Sequence, residues 1–209
     1  MPFIDTIPAS YATGEAFVMY DRQHAHYGYV PSYAKLFCHR PEVMRRWAEL
    51  LSAIKRPMDR RRFELATFAA AQALRSTLCT LAHGKALLAF CAPQDIIAMA
   101  RGETPPSLSA AESALVRFAR AVARDAPAVT AADVDELKRH GFSDAEVFDI
   151  AVTVAGRAFF TKVIEALGGA ADAPLRALSP ELRDALAVGR PIEFVEPERL
   201  DTPEFRAIG

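Results

Sequence analysis

The sequence predicts an all-α fold, and three features predict it. Alanine-rich stretches favour helix, because alanine loses no side-chain freedom on entering one. Alternating runs of β-branched and polar residues, the mark of a half-buried strand, are scarce. Helix start and stop signals recur along the chain.

Those signals place the elements in order. Pro41, Pro93 and Pro180 stand where a first helical residue would, a position whose N–H has no partner to lose. Ser109 with Glu112, Thr130 with Asp133, and Ser143 with Glu146 have the spacing at which two side chains satisfy each other's exposed backbone donors. Gly28, Gly102, Gly141 and Gly168 follow apolar periodic runs, as left-handed helix ends do. Between these marks the sequence predicts helices over 14–27, 32–38, 41–55, 59–75, 77–90, 93–101, 109–124, 131–140, 143–167 and 180–187. The longest is expected to break near Gly156, and no convincing strand is predicted. Residues 1–187 are read as a single helical domain. Residues 188–209 have spaced prolines and no helical period, and are read as an extended tail that needs a surface, its own or a partner's. A faint internal echo links Glu64-Leu-Ala and Ala73 to Asp149-Ile-Ala and Ala158, 85 positions on. If that echo is a duplication, it implies two related helical hairpins about a pseudo-twofold.

A length of 209 residues suits one good core and is short for two independent domains. With 51% hydrophobic and 24% charged residues, wholesale disorder is excluded. A net charge of −1 leaves no basic field for nucleic acid or an acidic membrane. The run Arg60, Arg61, Arg62 is local, is followed by Glu64, and reads as a solvated helix start. The N-terminal residues lack the pattern of a secretory signal, and no run approaches the roughly 18 apolar residues that span a bilayer. Three unevenly spaced cysteines do not make a disulfide framework, so a reducing cytoplasmic setting is expected. No phosphate loop, zinc constellation or Ser-His-Asp pattern is present in the sequence, and neither a cofactor nor a metal is expected.

Chemistry concentrates in two adjacent segments. FELATFAAAQAL, residues 63–74, is apolar almost all round and should form a buried central helix, with Glu64 and Gln72 as exceptions. One reading pairs Glu64 with Arg60 or Arg61; the other turns its carboxylate inward to orient or deprotonate a neighbour, since a buried carboxylate needs a partner. Ser76 then reads as the cap of the next helix, with Cys79 in its first turn, where exposed donors and the helix dipole favour a thiolate. His83 follows four residues later on the same face. A base beside a thiol at a helix start is a recipe for an activated sulfur nucleophile. Against it stands the plainer reading, in which Cys79 is a small core residue and His83 an interior histidine. Cys38 is read as a candidate distant resolving thiol and Cys91 as core. His24 and His26, two apart, do not share a helical face, so with Tyr27 and Tyr29 they suit a pocket or surface rather than a metal.

The register Glu64, eleven residues, then Ser76-x-x-Cys79-x-x-x-His83 resembles the alkyl hydroperoxidase D-like and carboxymuconolactone decarboxylase superfamily, whose motif reads Glu…Cys-x-x-Cys-x-x-x-His. The flanks GYVPSYAKLFCHRPEVMRRW and AEVFDIAVTVAGRAFFTKVIEALG look like its peroxidase-related branch, so the resemblance covers most of residues 27–169. It implies an all-α, alkyl hydroperoxidase D-like fold in homo-oligomers, commonly trimers or hexamers, with the site near subunit contacts. It implies Cys79 as the sulfur that meets peroxide, and Glu64 and His83 as a proton relay. The departure is Ser76, which stands where the redox-active members have their first cysteine. No local disulfide can close there, and Ser76 is expected to tune Cys79 by hydrogen bonding.

The leading expectation is a thiol-dependent, peroxiredoxin-type peroxidase that oxidises Cys79 with a small hydroperoxide and is reduced by an external thiol. One alternative is decarboxylase-like acid–base chemistry by His83 and Glu64 on an organic acid. The other is a non-catalytic oligomeric binding protein.

Overall fold

The computed structural model describes residues 2–200. Ten α-helices run through them: α1 (Gly14–Tyr27), α2 (Ser32–Leu36), α3 (Pro41–Lys55), α4 (Arg60–Ala73), α5 (Thr77–Leu87), α6 (Pro93–Ala100), α7 (Ala110–Asp125), α8 (Ala131–Arg139), α9 (Asp144–Ala166) and α10 (Pro180–Leu186). All three anticipated prolines take first-turn positions. Glu112, Asp133 and Glu146 reach back to the backbone N–H of Ser109, Thr130 and Ser143. All four anticipated glycines take positive φ.

Three differences have local causes. The helix expected over 59–75 ends at Ala73, because Leu74–Ser76 form a turn in which Arg75 N bonds Gln72 O and Ser76 N bonds Ala71 O. Helix α9 runs unbroken through Gly156, which stays helical while its carbonyl accepts from Trp47 Nε1 at 3.1 Å. The segment after Ala73 turns into α5, whereas the stretch after Ala158 stays helical to Ala166, so the echo does not continue past Ala158.

Helix α4 lies at the centre, packed against α5, α7 and α9. Every residue from Phe63 to Ala71 is buried. Full burial of side chains such as Leu65 and Phe68 contributes roughly 1.5–3 kcal/mol each. The arginines at its mouth tie it to its neighbours: Arg61 pairs with Glu112 and Arg62 with Glu146, carboxylates that also cap α7 and α9. Glu64 is thereby left for the interior.

The described part of the tail lies on its own chain. Strand β1 (Ala171–Asp172) pairs in parallel with β2 (Phe194–Val195), Ala171 opposite Phe194. These strands, of two residues each, are the exception to the all-helical expectation. Glu198 bridges to Val30 by its backbone, pairs with Lys35 at 2.6 Å and accepts from Ala9 N. The last nine residues of the expected tail, from position 201, lie outside the described residues. No helix among the described residues is long and apolar enough to cross a membrane.

Candidate active site

The turn between α4 and α5 sets the site. Arg75 takes φ 56°, a left-handed conformation that costs a non-glycine residue roughly 1–2 kcal/mol. It reverses the chain within three residues, so the faces of α4 and α5 that bear Glu64 and His83 meet. Ser76 caps α5: its Oγ accepts from Cys79 N at 3.3 Å and donates to Glu165 Oε1 of α9 at 2.6 Å. That hydroxyl proton is committed to Glu165. Ser76 therefore acts on Cys79 by capping the start of its helix, not by the hydrogen bond to sulfur that was expected of it.

His83 Nδ1–H donates to Glu64 Oε2 at 2.8 Å, and both side chains are largely buried. Burial raises the Glu64 carboxyl, but the hydrogen bond from His83 and the charges of His83, Lys55 and Arg157 outweigh it and hold Glu64 below its ordinary value. Burial, then the Arg157 charge, push His83 below its ordinary value against the pull of Glu64. The pair is thus a carboxylate and a neutral imidazole. An ionised carboxylate only accepts, so the proton sits on Nδ1 and the Nε2 lone pair is free to take another.

The buried Cys79 sulfur does not bond His83 among the described residues. It lies 3.4 Å from Thr161 Oγ1 and faces the guanidinium of Arg157, both on α9. Arg157 is only 5% exposed and has no carboxylate ion pair among the described residues, and its Nε has no hydrogen-bond partner. Burial pulls the guanidinium below its ordinary value, opposed by Cys79 first and Glu64 second. Its aromatic wall is Trp47 and Phe160, whose rings stack with centroids 4.4 Å apart and lie 5.7 and 5.5 Å from the guanidinium. Tyr33 packs edge-on against Phe160 at 5.2 Å and stays protonated, because burial lifts its hydroxyl well above the usual value.

Arg157, Thr161 and Glu165 were not foreseen. They sit four apart on α9 and meet Cys79, Cys79 and Ser76 in turn. The available signal was a polar stripe at four-residue spacing, Asp149, Thr153, Arg157, Thr161 and Glu165, along a largely apolar helix.

The remaining candidates lie elsewhere. Cys38 accepts from Ile7 N at 3.4 Å and neighbours Tyr20. Cys91 is buried in the core, its thiol pushed up by that burial. All three cysteines are free. His26 packs edge-on to Tyr27 at 4.5 Å, and Tyr27 neighbours Tyr29 and Tyr33, an aromatic cluster on the way to Phe160. Among the described residues no group of three or more His, Cys, Asp or Glu side chains is arranged to hold a metal ion.

Residues 41–121 match the model of the carboxymuconolactone decarboxylase family, a stretch holding Glu64, Ser76, Cys79 and His83 but not Arg157. No curated protein matches the chain in sequence. Among solved structures it is similar to an uncharacterized peroxidase-related protein with an alkylhydroperoxidase AhpD core from Ralstonia eutropha JMP134. The TM-score is 0.72 at 19% identity, over 90% of this chain and 98% of that one. A peroxidase-related protein from Silicibacter sp. TM1040 gives 0.73 at 20%, over 84% and 94%. The debrominase Bmp8, as a cysteine-to-alanine variant in complex with 2,3,4-tribromopyrrole, gives 0.70 at 17%, over 88% and 97%. At these identities the likeness is one of fold, the all-α alkylhydroperoxidase D-like arrangement.

Proposed function

We propose that this chain, which matches the carboxymuconolactone decarboxylase family model over residues 41–121 and has the alkyl hydroperoxidase D-like fold, is a thiol-dependent peroxidase that acts through Cys79. The observation that supports it best is the burial of the Cys79 sulfur against Arg157, beside a neutral His83 held by Glu64. A guanidinium is the natural partner of a sulfur anion, and the free His83 Nε2 is a base one helical turn from the thiol.

The sulfur lone pair attacks the distal oxygen of a hydroperoxide and the O–O bond breaks. The thiol proton passes by way of His83 Nε2 to the departing alkoxide. The products are a sulfenic acid on Cys79 and an alcohol. A first external thiol converts the sulfenic acid to a mixed disulfide and water; a second restores the Cys79 thiol and leaves as the oxidised disulfide.

Because position 76 is serine, the sulfenic acid has no neighbour with which to close a disulfide. Peroxide treatment followed by a dimedone-type reagent should give one adduct on Cys79, and Ser76→Cys should replace it with an internal disulfide, a loss of two mass units. Folded wild-type protein whose Cys79 resists peroxide would sink the thiol mechanism. One observation favours a second reading: His83 bonds Glu64 and not Cys79. Acid–base chemistry on an organic acid would then survive Cys79→Ala and fail in His83→Ala.

A further inference from the structure

A cavity of about 510 Å³ lies where α7 passes the C-terminal ends of α4 and α6, and it shares no lining residue with the Cys79 site. Arg117, Arg120 and Arg124 line it from one face of α7, at positions i, i+3 and i+7. Arg101, just past the end of α6, lines it from the other side. No carboxylate among the described residues lines it. The chain as a whole carries a net charge of −1, with 26 acidic residues against 25 Lys and Arg, so four arginines around one acid-free cavity is a local excess.

The pairing pattern sharpens this. Arg117 is tied to Glu136 of α8. Arg101, Arg120 and Arg124 form no ion pair among the described residues, which leaves three uncompensated positive charges. Arg120 is half-buried and fixed, its Nη2 donating to Gln72 Oε1 at 3.0 Å and Met99 O at 2.7 Å. Burial and then the like charge of Arg124 hold Arg120 below its ordinary value, so the cluster is under repulsion that an anion would relieve. Planar guanidinium forks match phosphate oxygens two at a time, and the volume lies in the range of ordinary ligand pockets.

We infer that this cavity is a binding site for a diphosphate group, free or carried by a nucleotide. Three unpaired guanidiniums, one of them the fixed Arg120, suit two adjoining phosphates better than a single carboxylate, which neutralises one charge.

The test is thermal unfolding and calorimetric titration of the full chain with sodium pyrophosphate, and separately with ADP, at constant ionic strength. Pyrophosphate should raise the melting temperature saturably. The double variant R101Q/R124Q changes two exposed arginines that form no ion pair among the described residues, and should weaken binding at least tenfold. Its unliganded melting temperature should not fall, since a repulsion is removed. Arg22→Gln, an exposed arginine on α1, should bind as wild type does. Tighter binding of ADP than of pyrophosphate names a nucleotide as the source, and the reverse names free diphosphate; either upholds the site. No saturable effect of either ligand at millimolar concentration, or equal binding by R101Q/R124Q, overturns it.

Discussion

Arg157 has given up its hydration to face Cys79, and its replacement separates a role in chemistry from one in packing. Arg157→Met keeps much of the stem and removes the charge. Oxidation of Cys79 by peroxide should slow about 10- to 100-fold, the loss of one charge-assisted contact worth roughly 1.5–3 kcal/mol. Stability should hold or rise, because an apolar side chain replaces a buried charge. Loss of stability with an unchanged rate would make Arg157 structural. His83 and Glu64 supply a pH dependence whose sign is fixed. Both are held below their ordinary values of 6.5 and 4.5. As pH falls through about 6.5 the unfolded chain takes up a proton that the folded chain refuses, so stability falls; Glu64 adds a second loss below about 4.5. Urea unfolding between pH 7.5 and 5.5 should show a smaller decline in His83→Gln than in wild type, and equal slopes would contradict the assignment. Glu64, Ser76, Cys79 and His83 could be named as candidates because they fall on two consecutive helices and the cap between them, where spacing alone brings groups together. Whether Glu64 faced Arg61 or His83 was not, because that depends on Glu112, 48 positions further on, taking Arg61 first.

At the scale of elements, helix positions were legible because caps and first-turn prolines are local chemistry. The two short strands were not, since two residues carry no periodicity. Nor was the strap that holds the start of α5. Gly189 packs so closely on Arg75 that a Cβ there would stand 1.9 Å from the Arg75 carbonyl oxygen. Next to it, Gly189 N donates to Thr77 Oγ1, which donates to Arg190 O. Arg190 also donates to Glu165 O at 2.8 Å, and the Glu165 carboxylate holds Ser76. Gly189→Ala must push this segment off the helix that carries Cys79. Stability should fall by about 1–3 kcal/mol, with slower oxidation of Cys79. Chemical denaturation and the peroxide rate measure the two effects, and an alanine variant matching wild type in both would show that the strap is slack. Arg75→Gly should be neutral or stabilising, since glycine accepts the left-handed turn.

At the scale of the whole molecule, a groove of about 880 Å³ between α3 and α9 is lined by Val43, Leu50, Phe148 and Phe159. All four are exposed, Phe148 by 65%. An apolar face of this kind marks a contact surface, and a second copy of the chain is the expected occupant. Light scattering should give a multiple of 22.8 kDa, and Leu50→Glu with Phe148→Glu should reduce it to one chain. A clean wild-type monomer at micromolar concentration would remove the expectation. Composition raises the expectation of association but does not say which face would serve it, because that depends on how α3 and α9 meet.

Trp47 belongs to both of those settings. It lines the groove and stacks on Phe160 beside Arg157, and it is the chain's single tryptophan. Excited indole responds to the field across its ring, so a change of charge at Cys79 reaches it through one guanidinium, and the arrival of a second chain reaches it from outside. The molecule therefore contains its own unlabelled optical probe, whose emission should shift if the sulfur is oxidised on one side or the groove is covered on the other.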